Sequence, residues 1–234
     1  MARAKRLALA GELHHLLQRG HNRQSVFVDD SDRVSYLSLL RDAAIEYGVA
    51  IHAYTLLDAE VHLLATPREA LGVSRLMQSM GRRYVATFNR RHGRSGTLWA
   101  GRFRASLIEG AALGIEAVVY VETLQVCSGQ TNAAADWDWS SARHHLGQRR
   151  DPLITEIPGY WALGNTPFER EFAHAHKLKE GVDRTLGERL AQGVLQGRAV
   201  GSDSFAGSIA KRSGVPAQAR PRGRPRNAVD QKPK

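Results

Sequence analysis

A carboxylate and an imidazole stand two residues apart in the segment Glu60-Val61-His62. Side chains alternate between the two faces of a strand, so residues i and i+2 share a face, about 7 Å apart along the chain. A carboxylate oxygen and an imidazole nitrogen at this spacing can bind one divalent cation, and oxygen donors suit Mg²⁺ or Mn²⁺. Because Glu-x-His pairs are common on half-buried strands, the spacing alone favours an ordinary pair over a metal site.

The elements that would position this pair follow from hydrophobic periodicity. Strands are predicted over residues 11–19, 49–57, 61–66 and 102–108, and helices from the N-cap cluster Asp29-Asp30-Ser31-Asp32 to Gly48, over 69–91 and over 111–126. The order strand, helix, strand, strand, helix, strand, helix fits a ferredoxin-like α+β sandwich with an antiparallel sheet. The order alone does not fix the topology.

Apolar spacing predicts which faces are buried. The inward positions are predicted to be Val34, Leu37, Leu40, Ala44 and Ile45 in the first helix, and Leu76, Met77, Met80, Tyr84 and Phe88 in the second. His52, Tyr54 and Leu56 are predicted to share one face of the second strand.

The C-terminal part has weaker patterning. A polar-aromatic turn at residues 136–141 is predicted to pack a short helix on the core, and helical spacing returns over 166–198 and 201–210. From Gly214 onward Pro, Gly and Arg dominate, which predicts a disordered basic tail. The predicted division is a main domain at 1–147 that contains the Glu60–His62 pair, a helical accessory region at 148–210, and the tail at 211–234.

Composition narrows the class of protein. The chain has 234 residues, 42% of them hydrophobic, and a net charge of +10. The single cysteine, Cys127, excludes a disulfide framework and is expected to be a small buried hydrophobe. No apolar run approaches a membrane span, and the basic start lacks the apolar core of a signal peptide. We therefore expect a cytoplasmic protein that associates with the nucleoid and not with a membrane.

The positive charge is concentrated in two segments. Residues 82–104 contain seven arginines and no acid, and residues 211–234 contain eight Lys and Arg against one acid. Each segment has a net charge of +7, so the remainder of the chain is mildly acidic at −4. Arginine binds phosphate oxygens in pairs, which makes a nucleic acid the expected partner.

Four segments, in the right order, resemble one protein family. HAYTLLDAEVHLLATP (52–67) resembles the A-Y-x-L-M-x-N-H-x-H-L-L signature of the single-tyrosine, HUH-type transposases of small insertion sequences, and is closest to the REP-associated tyrosine transposases. GRRYVATFNRRHGRSGTLWAGRFRASLIE (81–109) is similar to the family's second helix and fourth strand. VYVETLQVCSG (119–129) takes the place of R-Y-I-x-L-N-P-V-R-A-G, and DWDWSSARHHLG (136–147) resembles W-S-S-x-x-x-H-L-G.

The resemblance implies a reaction on single-stranded DNA. In the family a tyrosine attacks a phosphodiester and forms a 5′-phosphotyrosine and a free 3′-OH, with a metal polarising the phosphate. Carried onto this chain, Tyr120 is the nucleophile position, and His62, Glu60 and Gln125 stand at or beside the metal-ligand positions. The expected cofactor is Mg²⁺ or Mn²⁺ if the protein is active, and the expected partner is single-stranded or hairpin DNA at palindromic repeats. The family includes homodimers and monomers.

The departures from the family pattern cluster at this site. Glu60 replaces the first histidine, Leu124-Gln125 replaces Asn-Pro, and Cys127 replaces an arginine. Leu124, one turn after Tyr120, offers no ligand atom, and Gln125 could serve only if the helix rotated or bulged. Two interpretations stay open: an active transposase that uses a Glu60–His62 metal, or a weakened relative that only binds DNA. An RNA-binding protein is less favoured, since no aromatic-rich strand pair is present.

The residues predicted to contact DNA come from both basic segments. Arginines of 82–104 fall away from the apolar helix positions, and Trp99 could either stack on an unpaired base or anchor the core. Pro221-Arg222-Gly223-Arg224-Pro225 resembles an AT-hook core, for which general nucleic-acid contact is favoured over A·T selectivity. The predicted DNA-binding residues are Arg82, Arg83, Arg90, Arg91, Arg94, Trp99, Arg102, Arg104, Arg222 and Arg224.

Overall fold

A computed structural model describes residues 7–217. The first half contains β1 (Leu13–Arg19), α1 (Asp30–Glu46), β2 (Val49–Leu57), β3 (Glu60–Pro67), α2 (Gly72–Arg91), β4 (Arg104–Ile108) and α3 (Gly110–Glu122). The second half contains α4 (Leu124–Cys127), α5 (Ala142–His145), α6 (Pro158–Trp161), α7 (Pro167–Glu180), α8 (Arg184–Gln196), β5 (Ala199–Val200) and α9 (Asp203–Ser213).

The strands form one open sheet in the order β2-β3-β1-β4-β5. The first four strands pair antiparallel, and β5 pairs parallel with β4. β2 and β3 form the predicted hairpin, whose register places Leu57 opposite Glu60. The ferredoxin-like α+β sandwich expected from the element order is therefore confirmed, with one short strand added at the edge.

The two faces of the sheet bury two apolar clusters. α1 and α2 cover the face that carries Leu16, Tyr54 and Leu63, and all five residues predicted to be the inward face of α2 are buried there. α3 covers the opposite face, which carries Leu13 and Leu64. Because side chains alternate, residues of β3 separated by two positions from Leu64 also point toward α3.

Two predicted inward faces are corrected. In α1 the buried stripe runs through Arg33, Tyr36, Leu40 and Ala43, which are three or four residues apart, so Val34 and Ile45 lie off it and are exposed. In β2 the pairing register with β3 shifts between Ile51 and Ala53. Because of this shift, Ile51 and not His52 shares the buried face of the strand with Tyr54 and Leu56.

The predicted helix over 111–126 is broken in two. α3 ends at Glu122, and Thr123, with φ −108° and ψ 1°, leads into the separate four-residue helix α4. Cys127 is the last residue of α4 and is exposed, which corrects its expected burial. The break turns the end of the helix toward the surface, so the cysteine does not reach the core.

The C-terminal helices pack on the sheet. Predicted helical patterning over 166–198 becomes α7 and α8, separated at Gly181, whose φ of +72° favours glycine. Leu190 of α8 is buried in the same cluster as α3. The division at residues 147 and 210 stays a prediction. None of the helices within residues 7–217 is long and apolar enough to span a membrane.

Chain segments also lie along the two outer strands. Residues 139–155 follow β2, where Leu56 N–H donates to Trp139, Ser141 N–H to Tyr54, and Thr155 N–H to Ile51. On the other side, Ala199 N–H of β5 donates to the carbonyl of Ala217.

Candidate active site

Glu60 and His62 point to the α3 face of the sheet and lie side by side. His62 Nε2 is 3.3 Å from Glu60 Oε2. Their partners on β1 are Arg19, opposite Glu60, and Leu17, opposite His62. His62 is buried, whereas the Glu60 side chain keeps 27% of its exposure, so the pair opens toward solvent on the carboxylate side. The structure thus brings together the two donors that strand alternation predicted.

A second imidazole, His15, was missed by the sequence analysis. His15 lies on β1 and is completely buried, and its Nε2 is 3.0 Å from His62 Nδ1. Its ring stacks on the His62 ring with centroids 5.2 Å apart. The adjacent pair His14-His15 in the first strand was the available signal, but only the register of β1 against β3 shows which of the two faces His62.

Arg19 is the second residue that the sequence analysis missed. Its Nε lies 3.1 Å from Glu60 Oε1, so the carboxylate is held between Arg19 and His62. Arg19 also lines a cavity of about 110 Å³ together with Leu17, Ala100, Gly101, Arg102 and Arg104. Arg19, which pairs with Glu60, thus shares this cavity with two further arginines, a basic lining that suits a phosphate.

Tyr120 projects from α3 onto the same group. Its ring meets the His15 ring edge-on, with centroids 5.8 Å apart. Burial raises the pKa of Tyr120 to about 12, and the nearby Cys127 and Glu60 act in the same direction. The phenol is therefore protonated at neutral pH and needs help to become a nucleophile.

The charge states around Tyr120 suit metal binding. Burial lowers the pKa of His62, and Glu60 opposes this shift without cancelling it. Burial and repulsion from His62 together lower the pKa of His15 well below its usual value. Burial raises the pKa of Glu60, but His62 and Arg19 outweigh it, so its pKa lies below the ordinary value. Near pH 7 the site presents neutral imidazoles and an ionised carboxylate, which are the forms that bind cations. The 3.3 Å between His62 Nε2 and Glu60 Oε2 is a suitable separation for two adjacent ligands of one ion.

Gln125 and Trp99 are both buried, and Trp99 takes one of the two roles that the sequence left open. The Gln125 Nε2 donates to the carbonyls of Glu122 and Ala134, its Oε1 has no hydrogen-bond partner, and no hydrogen bond in residues 7–217 joins it to Glu60 or His62. Trp99 is only 7% exposed and packs against Tyr84, so its ring faces are not available to a base. Trp99 is a core anchor, the other role that the sequence allowed.

The arginines of 82–104 lie on different surfaces, and several of them are already paired. Those on α2, which packs across the sheet from Tyr120, include Arg83, paired with Asp42, and Arg91, paired with Asp29 and Asp32. Arg94 donates to Gln24 and Arg104 to the carbonyl of Leu195. Arg82, Arg90 and Arg102 are exposed and make neither an ion pair nor a side-chain hydrogen bond within residues 7–217. A single arginine stripe beside Tyr120 is therefore not formed, and only Arg102 and Arg104 lie at the Arg19 cavity.

A separate polar cluster lies where α3 ends. Glu122, His145 and His174 each place one donor atom within 4.8 Å of the others, so together they can hold a metal ion. All three are buried, and they come from α3, α5 and α7. The AT-hook-like residues Arg222 and Arg224 lie outside the described residues.

Comparisons with known proteins find similarity to transposases. Residues 12–123 match the family model described as "Transposase IS200 like", a range that contains β1 to α3 and hence His15, Glu60, His62 and Tyr120. A solved structure of a REP-associated tyrosine transposase bound to a REP hairpin has a TM-score of 0.53 and 18% identity, over 68% of this chain and 96% of that chain. At that identity the likeness shows the fold.

A putative transposase from Deinococcus radiodurans R1 has 24% identity over 50% of this chain and 94% of that chain, with a TM-score of 0.35. No curated protein matches the chain.

Proposed function

We propose that this chain, whose residues 12–123 form an IS200-like transposase domain, cleaves and rejoins single-stranded or hairpin DNA through Tyr120. The observation that carries the proposal is the convergence of Tyr120, His15, His62 and Glu60 on one face of the sheet, with ring and donor contacts between 3.0 and 5.8 Å. The relative bound to a REP hairpin supports a hairpin as the DNA structure that this chain takes.

The chemistry is a transesterification. The Tyr120 oxygen forms a bond to phosphorus while the bond to the 3′ oxygen breaks, so the phenol loses a proton and the leaving 3′ oxygen gains one. The products are a 5′-phosphotyrosine and a 3′-OH, and the number of phosphoester bonds is unchanged. Rejoining is the reverse attack by a 3′-OH, which is why no nucleotide cofactor is required.

Glu60 and His62 are the residues proposed to hold Mg²⁺ or Mn²⁺. Their oxygen and nitrogen donors face one another at 3.3 Å, and His15 fixes the orientation of the His62 ring from the other side. When bound, the cation supplies Lewis-acid polarisation of the scissile phosphate. Gln125 is not included, because no hydrogen bond in the described residues joins its amide to Glu60 or His62, and its Nε2 is fixed by the carbonyls of Glu122 and Ala134.

The basic cavity next to Glu60 is proposed to receive the phosphate backbone. Arg19, Arg102 and Arg104 line it on the Tyr120 side of the sheet. Arg82 and Arg90, which make no ion pair within the described chain, would contact DNA where it passes the opposite face. Such contacts supply affinity and register and carry little sequence information.

A second candidate function is DNA binding without cleavage. Two observations favour it: Glu60 stands where the family pattern has a histidine, and Gln125 makes no contact with the Glu60–His62 pair in the described residues. Both candidates share the DNA partner and differ only in whether a covalent bond to Tyr120 forms.

The test is covalent capture of labelled hairpin DNA in Mg²⁺ or Mn²⁺ by the wild-type chain, Tyr120→Phe and Tyr47→Phe. Tyr47→Phe makes the same chemical change at the C-cap of α1, away from the site. We expect a denaturation-resistant adduct with the wild type and Tyr47→Phe, and none with Tyr120→Phe. Tight binding without any adduct would favour the second function, and an adduct in Tyr120→Phe would exclude Tyr120 as the nucleophile.

A further inference from the structure

The buried cluster of Glu122, His145 and His174 lies outside the proposed DNA-cleaving site. His145 Nδ1 is 2.7 Å from Glu122 Oε1, and His174 Nε2 is 2.8 Å from Glu122 Oε2. The Ser141 hydroxyl also donates to Oε1. Both carboxylate oxygens are thus turned toward imidazole nitrogens, and no part of the carboxylate reaches solvent.

A carboxylate in this position requires a positive partner. An ionised group in the apolar interior is costly unless a charge and hydrogen bonds compensate it. No arginine or lysine forms an ion pair with Glu122 within residues 7–217, so the compensating charge comes either from a protonated imidazole or from a cation bound in place of that proton.

We infer that Glu122, His145 and His174 form a binding site for a structural divalent cation of the zinc class. Two imidazole nitrogens and a carboxylate are a ligand set that zinc accepts, and a bidentate carboxylate raises the donor count to the preferred four. Ligands of zinc stand about 3.3 Å apart, as follows from bonds of about 2.0–2.1 Å in a tetrahedron. The two imidazole–carboxylate separations of 2.7 and 2.8 Å would therefore lengthen by about half an ångström to admit the ion.

The place of the cluster gives the ion a structural role. Glu122 ends α3, His145 lies on α5 and His174 on α7, so the three ligands tie the C-terminal helices to the sheet. His174 Nδ1 is buried without a hydrogen-bond partner, which makes Nε2 the polar anchor of that ring. A metal bond at Nε2 would fix α7 more firmly than a single hydrogen bond does.

The first measurement is the metal content of the full-length chain, purified with zinc in the medium, by plasma mass spectrometry. We expect close to one zinc per chain in the wild type and in His176→Ala, and less than a tenth of that in His174→Ala. His176 lies on the same helix but is exposed and pairs with Glu180, so it controls for a general effect on α7. Circular dichroism checks that each variant is folded.

The second measurement uses wild-type protein and therefore does not depend on how the variant folds. Chelator-treated wild type should melt at a lower temperature and regain its original Tm when zinc is added, because a ligand of the native state stabilises it. A wild type that purifies without metal and whose Tm does not respond to zinc would overturn the proposal and leave a hydrogen-bonded cluster only. Zinc lost in Glu60→Gln but kept in His174→Ala would assign the ion to the other site and also overturn it.

Discussion

Tyr120 has to lose a proton before its oxygen can attack phosphorus, and its surroundings oppose that loss. Burial, Cys127 and Glu60 all raise its pKa, to about 12. The His15 ring is in edge contact with Tyr120, but it is neutral and therefore does not lower the pKa of Tyr120. A cation at Glu60 and His62 and the guanidinium of Arg19 are the positive groups able to oppose this shift.

The first prediction is that covalent capture by Tyr120 accelerates with pH. Below a pKa of about 12 the tyrosinate fraction rises tenfold per pH unit, so the initial rate should rise about tenfold per unit from pH 7 to pH 9. Rates are measured by quenching adduct formation at fixed ionic strength. Hairpin binding by Tyr120→Phe at each pH separates chemistry from affinity, and a plateau below pH 9 would show that a bound group has lowered the pKa.

The second prediction concerns the charge of Glu60. Glu60→Gln keeps the shape but removes the charge and the bond to Arg19, so Mn²⁺ affinity should fall by about 10- to 100-fold. Glu69→Gln is the control, since Glu69 is exposed and pairs only with Arg75. Mn²⁺ binding is followed by electron paramagnetic resonance. Equal affinities for the wild type and Glu60→Gln would remove Glu60 from the ligand set.

Part of the site could be predicted from single residues and their spacing. The i and i+2 alternation brought Glu60 and His62 together, and the family pattern pointed to Tyr120, which the structure places on the same face. His15 and Arg19 could not be found in this way, because their proximity depends on the pairing of β1 with β3, a contact across more than forty residues of sequence. Cys127 was misjudged because nothing in Thr123 marks the end of a helix.

At the scale of elements, the start of α1 and the end of α2 are joined by a buried carboxylate. Asp32 is 2% exposed, and it accepts from the backbone N–H of Val28 and from the side chains of Arg91 and His92. Asp29 caps α1 and also pairs with Arg91. This joint uses Arg91 to hold two helices together, which is why Arg91 is a poor candidate for phosphate contact.

The third prediction is that Asp32→Asn destabilises the fold by about 1–3 kcal/mol, because the partners of Asp32 lose their charged acceptor. Burial raises the pKa of Asp32, but Val28 N–H, His92 and Arg91 outweigh it, so the pKa of Asp32 in the folded chain lies below its ordinary value. The stabilisation by Asp32 is therefore present above pH 4 and is lost as the pH falls through the folded pKa.

The measurement is urea unfolding at pH 7 and at decreasing pH. The control is Asp42→Asn, which breaks an exposed pair with Arg83 and should cost less than about 1 kcal/mol. The difference in unfolding free energy between the wild type and Asp32→Asn should shrink toward acid. A difference that is the same at pH 7 and pH 3 would contradict the assigned charge.

The elements themselves could largely be predicted. β2 matches its predicted bounds, β1, β3, β4 and α2 differ by a few residues, and the Asp29 cap marks the start of α1. These signals are local, since they depend on alternation, helical spacing and capping. The register shift at His52 lies where Thr155 N–H donates to Ile51, a contact between distant parts of the chain that no local pattern contains.

At the scale of the whole molecule, the basic charge is divided among three places. Arg19, Arg102 and Arg104 line the cavity beside Glu60, whereas the α2 arginines lie across the sheet. A further eight Lys and Arg fall in the C-terminal 24 residues. DNA that contacts both the Arg19 cavity and the α2 arginines would have to pass from one face of the sheet to the other.

The fourth prediction concerns a chain shortened after Ala217. This end point keeps α9 and the buried Ala217, whose carbonyl accepts from Ala199, whereas a cut at Ala210 would divide α9. The shortened chain loses six Lys and Arg, including Arg222 and Arg224. If these two arginines contact single-stranded phosphates, the slope of log Kd against log salt should fall by at least about 1.4.

Hairpin affinity of the full and shortened chains is measured between 50 and 300 mM salt, with circular dichroism as the check on folding. Substituting both Arg222 and Arg224 by alanine in the full chain should reproduce most of the change. Equal slopes for the full and shortened chains would exclude the tail from DNA contact.

The segments along β2 and the addition of β5 to β4 have a consequence for self-association. A strand with unpaired N–H and C=O groups can extend into the sheet of a second copy. Here the outer strand β2 already bonds to residues 139–155, and β5 bonds to Ala217. Two copies of the described chain therefore have no long bare strand with which to build a shared sheet. A homodimer would have to form through side-chain surfaces, and its formation would leave the register that aligns His15 with His62 unchanged.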